Sequence, residues 1–164
     1  MKKVYAFITS FTVIAALFSF SSFNSVSVSR LMVGQQISVD LLAENKGKLV
    51  WVNFWAAYDA ASRNENVQFS SVVKRVEEKF LTNGQPFKSI SVSMDRFESV
   101  FEEVVKQDNL SFSQVMREAE GFQSKFAKEM KLNKRFGNFL LDAQGKLIAK
   151  DLTPDELEKM LSRY

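Results

Sequence analysis

The run KLVWVNFWA, Lys48 to Ala56, sets the tightest limit on how this chain folds. Apart from Lys48 and Asn53 it is apolar, aromatic or β-branched throughout, so it has no polar side to turn to water. A strand of this kind is covered on both faces, as in a sheet with parallel neighbours and helices on each side. The following residues supply that cover. From Ser62 to Phe80 the apolar positions Val67, Val72, Val73, Val76 and Phe80 recur at helical spacing, and Asn83-Gly84 and Pro86 end the helix.

FKSISVSMD, Phe87 to Asp95, sets Phe87, Ser89, Ser91 and Ser93 against Ile90, Val92 and Met94, a period of two that predicts a second strand. Phe97 to Gln107 is amphipathic, with Phe97, Val100, Phe101, Val104 and Val105 on one face of a second helix. GFQSKFAKEMKL, Gly121 to Leu132, predicts a further helix. NFLLDAQGKLIAK, Asn138 to Lys150, predicts two strands joined by a turn at Asp142-Ala143-Gln144-Gly145. The last segment has Thr153 as N-cap, Pro154 at the first helical position and Glu156 three residues after the cap, so a closing helix should pack Leu157, Met160 and Leu161. The sum is an α/β fold with a central mixed β-sheet flanked by helices. With 164 residues, 46% of them hydrophobic, one compact domain is expected. FEEVVKQDNLSFSQVMREAEGF, Phe101 to Phe122, carries more apolar residues than a solvated connection needs, which points to packing in the core or against another chain.

The N-terminus has its own pattern. Val4 to Phe20 is an apolar run behind Lys2 and Lys3, followed by the Ser-rich SFSSFNSVSVS, the order of a secretory signal over residues 1–27. Ser19-Phe20-Ser21 and Ser25-Val26-Ser27 are the candidate cleavage contexts. The alternative is an uncleaved membrane anchor, since the run is just short of spanning length. Thr9, Ser10, Thr12 and Ser19 dilute its apolarity and favour the signal. The expected location is therefore the periplasm or cell envelope of a bacterium, with membrane contact only through an uncleaved segment. Residues 28–45 are expected as a linker and shortened N-terminal segment, with mature sequence beginning near Gly34 and the main folded domain at 46–164. The formal charge of +3 falls to about +1 without Lys2 and Lys3. KRVEEK and AKEMKLNKR mix basic with acidic residues, so no nucleic-acid partner is expected.

The chain has no cysteine and no histidine. A disulfide staple, a Cys nucleophile, a Ser-His-Asp triad and a Cys/His zinc site are all excluded. No cofactor and no metal are expected. A non-thiol enzyme would have to use carboxylates such as Asp59, Asp95 or Asp142 with a hard cation or a bound water. These are not grouped at ligand spacing, and Asp95 and Asp142 stand at strand ends, where turn roles are common.

GKLVWVNFWAAYDAASRNE, Gly47 to Glu65, resembles the active-site segment of exported thioredoxin-like proteins of the TlpA/ResA type, related to the AhpC/TSA proteins. In that family a strand ending in Val-Asn-Phe-Trp-Ala leads to a Cys-x-x-Cys at a helix start. GFQSKFAKEMKLNKRFGNFLLDAQGKLIAK, Gly121 to Lys150, resembles its second half, where a short helix precedes a cis-proline loop, a Phe-Leu-Ile-Asp strand and a Gly turn. The resemblance covers most of Lys46 to Tyr164 and implies a thioredoxin-like fold. Carried across, the first cysteine falls on Asp59, the second on Ser62 and the cis-proline on Phe136, so these are vestigial redox positions.

In the family, the helix N-terminus lowers the pKa of the first cysteine. Asp59 places a carboxylate there, which caps the helix and is no nucleophile. Ser62 and Glu65 form an alternative capping box that would start the helix three residues later. The resemblance also implies that Phe136 lies near Tyr58 and Asp59, giving a candidate binding patch of Tyr58 and Phe136 with Trp55 behind and Phe122 beside. The opposing reading is that Phe136 packs inward to fill the space of the lost proline ring. Asn53 is expected to hydrogen-bond neighbouring backbone. Without a sulfur nucleophile, exchange through a mixed disulfide cannot occur. The expectation is a redox-inactive protein that binds a protein or peptide through the former active-site face; the alternatives are an accessory paralogue of an active oxidoreductase and the carboxylate enzyme.

Overall fold

The computed structural model describes residues 31–36, 43–83 and 86–164. The expected signal segment lies outside the described residues. Five strands, β1 Leu49–Trp55, β2 Phe87–Ser93, β3 Gln114–Arg117, β4 Asn138–Leu141 and β5 Leu147–Lys150, form one sheet in the order β3-β2-β1-β4-β5. β1 runs parallel to β2, with Val52 opposite Ile90, and β2 parallel to β3. β4 is antiparallel to both β1 and β5. The helices are α1 Ala60–Asn83, α2 Glu98–Gln107, α3 Lys125–Glu129 and α4 Pro154–Leu161. The mixed α/β sheet expected from the sequence is present.

β1 is buried along its whole length because both of its faces carry core. Val50, Val52 and Phe54 point to one side and pack with Ile90, Val92, Phe139, Met130 and Leu132. Leu49 and Trp51 point to the other, against Phe69, Val73 and Phe80 of α1 and Leu157 and Leu161 of α4. Trp51 sits between Phe69, at 4.6 Å between ring centroids, and Phe112, at 6.0 Å. Burial of each such side chain stabilises the fold by roughly 1.5–3 kcal/mol, so the β1 crossing is its firmest part.

The serines of β2 are not a solvent face. Ser89, Ser91 and Ser93 are fully buried on the α1 side, and each is hydrogen-bonded. Ser89 and Ser113 both donate to Glu77, Ser91 donates to Asn66 Oδ1 at 3.0 Å, and Ser93 donates to Asp95 at 2.6 Å. A period-two pattern therefore hides a strand covered on both sides, its polar rungs satisfied by α1 and the loops.

Other segments depart from expectation. Gln114–Arg117, inside the apolar-rich connection, becomes the edge strand β3. The helix expected from Gly121 is a 3₁₀ turn, Gly121–Gln123, then the short α3, which Ser124 caps by accepting from Ala127 N–H. α1 begins at Ala60, so Asp59 rather than the Ser62 and Glu65 pair sets its start. The apolar face of α2 is buried fully only at Val104, while Phe97 and Val100 are exposed. Leu31, in the stretch expected as linker, is buried in the core, and Gly34 and Gln35 exchange backbone hydrogen bonds with Leu147. At the other end the Thr153 and Glu156 capping box forms as read, with Pro154 in the first turn.

Candidate functional site

The end of β1 runs into α1 through Ala56 to Asp59. Asp59 Oδ1 accepts from Ser62 N–H at 2.7 Å, and the Asp59 carbonyl accepts from Arg63 N–H at 3.0 Å. This is an N-cap, in which a carboxylate satisfies an orphan donor and meets the positive end of the helix dipole. Ser62, only 6% exposed, turns inward. Its hydroxyl donates to the Asp59 carbonyl and accepts from Ala56 N–H, which closes the loop on itself. Asp59 and Ser62 thus form one hydrogen-bonded helix entrance.

Asp95, at the end of β2, fixes the same loop from the side. Its carboxylate accepts from Ala57 N–H at 2.9 and 3.1 Å and from the Ser93 hydroxyl at 2.6 Å, and Asp95 is 3% exposed. Asp142 works locally instead, its Oδ1 accepting from the N–H groups of Gln144 and Lys146 in the β4–β5 turn. Asp59, Asp95 and Asp142 thus all have structural work. Among the described residues no group of three His, Cys, Asp or Glu could hold a metal ion.

Phe136 reaches the helix entrance because the carbonyl of Gly137 accepts from Phe54 N–H at 3.0 Å, binding the loop before β4 to the end of β1. A Cβ at Gly137 would stand 2.8 Å from Oδ1 of the exposed Asp151, whose side chain would have to turn aside. The loop leading to it takes left-handed backbone at Lys131, Asn133 and Lys134. No peptide bond among the described residues is cis. The Phe136 ring lies 6.1 Å from Tyr58 and 5.2 Å from Phe122, both tilted, so the three rings form a continuous row. Phe136 is half-buried and packs on the core from its inner side, while Tyr58 is exposed.

Trp55 does not belong to this row. It is fully buried on the α1 side of the sheet, where its Nε1 donates to Ser91 Oγ at 2.8 Å. Strand alternation explains this, because Trp55 shares a face with Trp51 and Asn53 and not with Phe54. Asn53 joins the same polar cluster, donating to the side chain of Asn66 at 2.9 Å rather than to backbone.

Two grooves flank the row. The first, about 850 Å³, runs between Tyr58 and Phe97 over a floor that includes Met94, Val100 and Gly121. The second, about 830 Å³, lies on the other side of Asp59 and Phe136 and is polar, with Glu65, Lys134, Arg135 and Asp155 in its walls. Burial pushes the Tyr58 hydroxyl above its ordinary pKa, and the charges of Asp95 and Asp59 add to that rise. Burial likewise raises Glu65, with Asp151 contributing. Phe97 and Val100 were missed as site residues because a helical stripe reads as core. The exposed start of α2 leaves them beside Tyr58.

No family model matches the chain, and no curated protein does. Solved structures do. A thioredoxin-like protein from Parabacteroides distasonis is 34% identical over 81% of this chain and 96% of its own, with a TM-score of 0.70. The thioredoxin domain of a thiol-disulfide oxidoreductase from Bacteroides vulgatus is 25% identical over 81% of this chain and 97% of its own, at a TM-score of 0.65. A thiol-disulfide oxidoreductase from Bacteroides fragilis is 26% identical over 72% and 82%, at 0.59. Among the described residues no helix is long and apolar enough to cross a membrane. The order of the sheet, the helix entrance at Asp59 and the likeness to these structures agree: the chain belongs to the thioredoxin-like proteins.

Proposed function

We propose that this chain is a redox-inactive thioredoxin-fold protein of the bacterial cell envelope that binds a protein or peptide through the face where its oxidoreductase relatives carry out thiol chemistry. One observation carries the reading: the row of Tyr58, Phe136 and Phe122 stands at the helix entrance, partly exposed, in a chain with no cysteine. Thiol exchange needs a thiolate to attack a disulfide, and a carboxylate at Asp59 cannot form the mixed disulfide. What survives is a surface of rigid aromatic side chains, the kind that dominates binding energy at interfaces. The apolar run behind Lys2 and Lys3 supports export.

The test is affinity capture from envelope extract of the native host, using the mature protein beside a Tyr58→Ala, Asp59→Asn, Phe136→Ser triple variant. Asn retains the helix cap, and because Phe136 packs on the core a thermal melt checks that the variant is folded before capture. A partner held by the natural protein and lost by the variant supports the reading. Equal capture by both refutes it.

A further inference from the structure

Building on the reading of this face as a binding surface, we propose that the groove between Tyr58 and Phe97 takes a polypeptide segment carrying a bulky aliphatic or aromatic side chain next to a lysine or arginine. The apolar half of that preference follows from the walls. Tyr58 is 69% exposed, Phe97 64% and Val100 40%, and they border one open groove of about 850 Å³ whose floor includes Met94 and Gly121. Large side chains left in water on both sides of one cleft favour an apolar occupant.

The basic half follows from charge. Asp95 stands at the back of the groove as a buried carboxylate held only by neutral donors, Ala57 N–H and the Ser93 hydroxyl. Among the described residues no cation pairs with it. Arg63 lies near enough to sense it, yet its guanidinium is engaged by Asp108 at 2.6 and 2.7 Å. Arg96 lines the groove as well, but its guanidinium lies over the Phe97 ring at 5.9 Å, and Arg117 faces Glu98 at 3.7 Å. Glu120 adds a second carboxylate to the wall and Asp59 stands beside Tyr58. A buried charge without a counter-ion is costly, so a cation brought by a ligand is favoured there. A lysine or arginine serves both halves at once, its stem lying along the Tyr58 and Phe97 rings and its head reaching the carboxylates.

The experiment uses fluorescence anisotropy with labelled synthetic peptides of one length and a central Phe, flanked by Lys and Arg, by Glu, or by Ser and Gln. The basic peptide should bind about tenfold more tightly than the acidic one at low salt, with the difference shrinking at high salt. Glu120→Lys should narrow that difference, and Phe97→Ser should weaken all three peptides by about tenfold. Both residues are exposed, so neither variant threatens folding. Equal binding of acidic, neutral and basic peptides that is still weakened by Tyr58→Ala and Phe136→Ser overturns the charge preference and leaves the binding face standing. Binding indifferent to Phe97→Ser, Tyr58→Ala and Phe136→Ser alike overturns both, as does no binding by any peptide.

Discussion

Replacing Asp95 by alanine tests whether the loop before α1 is held from the side or only by its own cap. The change removes the acceptor for Ala57 N–H and for the Ser93 hydroxyl, bonded at 2.9 and 2.6 Å. Ser93 is fully buried, so water cannot replace the lost partner. A hydrogen bond to a charged group is worth about 1.5–3 kcal/mol, and a stranded buried donor costs about 1–3 kcal/mol. Against this stands the relief of removing a buried carboxylate that lacks a counter-ion. The balance is a net loss of about 3 kcal/mol.

With a urea m-value of about 1.5–2 kcal/mol/M for a domain of this size, the unfolding midpoint should fall by about 1.5–2 M. Trp51 and Trp55 are both buried, so tryptophan fluorescence reports the transition. Asp95→Asn keeps the shape and one acceptor oxygen and should lose only about 1 kcal/mol. Ser93→Ala and Asp95→Ala should be non-additive in a double-mutant cycle, since they break a shared bond. A loss below about 1 kcal/mol for Asp95→Ala, or strict additivity with Ser93→Ala, refutes the clamp.

Three more outcomes follow from the same geometry. Asp59→Ala should destabilise by about 1 kcal/mol while Asp59→Asn stays near the natural protein, as measured by thermal and urea melts, because only alanine loses the cap. Burial first, and Asp151 second, hold the Glu65 pKa above its ordinary value, so the folded state binds the extra proton and this residue's contribution to stability falls as pH rises from the ordinary carboxylate range through the raised folded value. Glu65→Gln should remove that slope and leave the protein more stable at neutral pH, which melts across a pH series would read directly. Asp59→Cys combined with Ser62→Cys should form an internal disulfide on mild oxidation, and the thiol introduced at position 59 should titrate below about 8.5 by thiolate absorbance. A value at or above that would mean that the field of Asp95 outweighs the helix end.

The fold was legible where a residue's neighbours in sequence are also its neighbours in space. β1 has no polar face to confuse its reading, and Thr153, Pro154 and Glu156 encode the start of α4 within four positions. β3 was not legible, because Gln114 to Arg117 has neither apolar alternation nor turn residues, and it becomes a strand only by pairing with the exposed side of β2. The serines of β2 show the limit of periodicity. Their polarity signals water, yet Glu77, Asn66 and Asp95 meet them inside the protein.

The site divides in the same way. Tyr58, Asp59, Phe122 and Phe136 come together as the resemblance implied, since motif positions in a known fold carry spatial information that composition lacks. Trp55 was misplaced because strand parity sends it to the opposite face. Phe97 and Val100 carry the spacing of a buried stripe, and nothing local reveals that the helix begins beyond the edge of the core.

The helix entrance shows how this fold closes the β1–α1 turn in a chain with no cysteine. Folding requires that the first N–H groups of α1 find an acceptor and that the side chain one turn in be small enough to turn inward. Neither requirement names sulfur. Asp59 satisfies the first and Ser62 the second. Folding does not, however, require Tyr58, Phe97 and Val100 to stand in water around the groove that Asp95 lines. Polar residues there would be more soluble and no less stable, since none of the three is deep in the core. Under the proposal made above, an apolar and positively charged segment would cover these side chains in the groove.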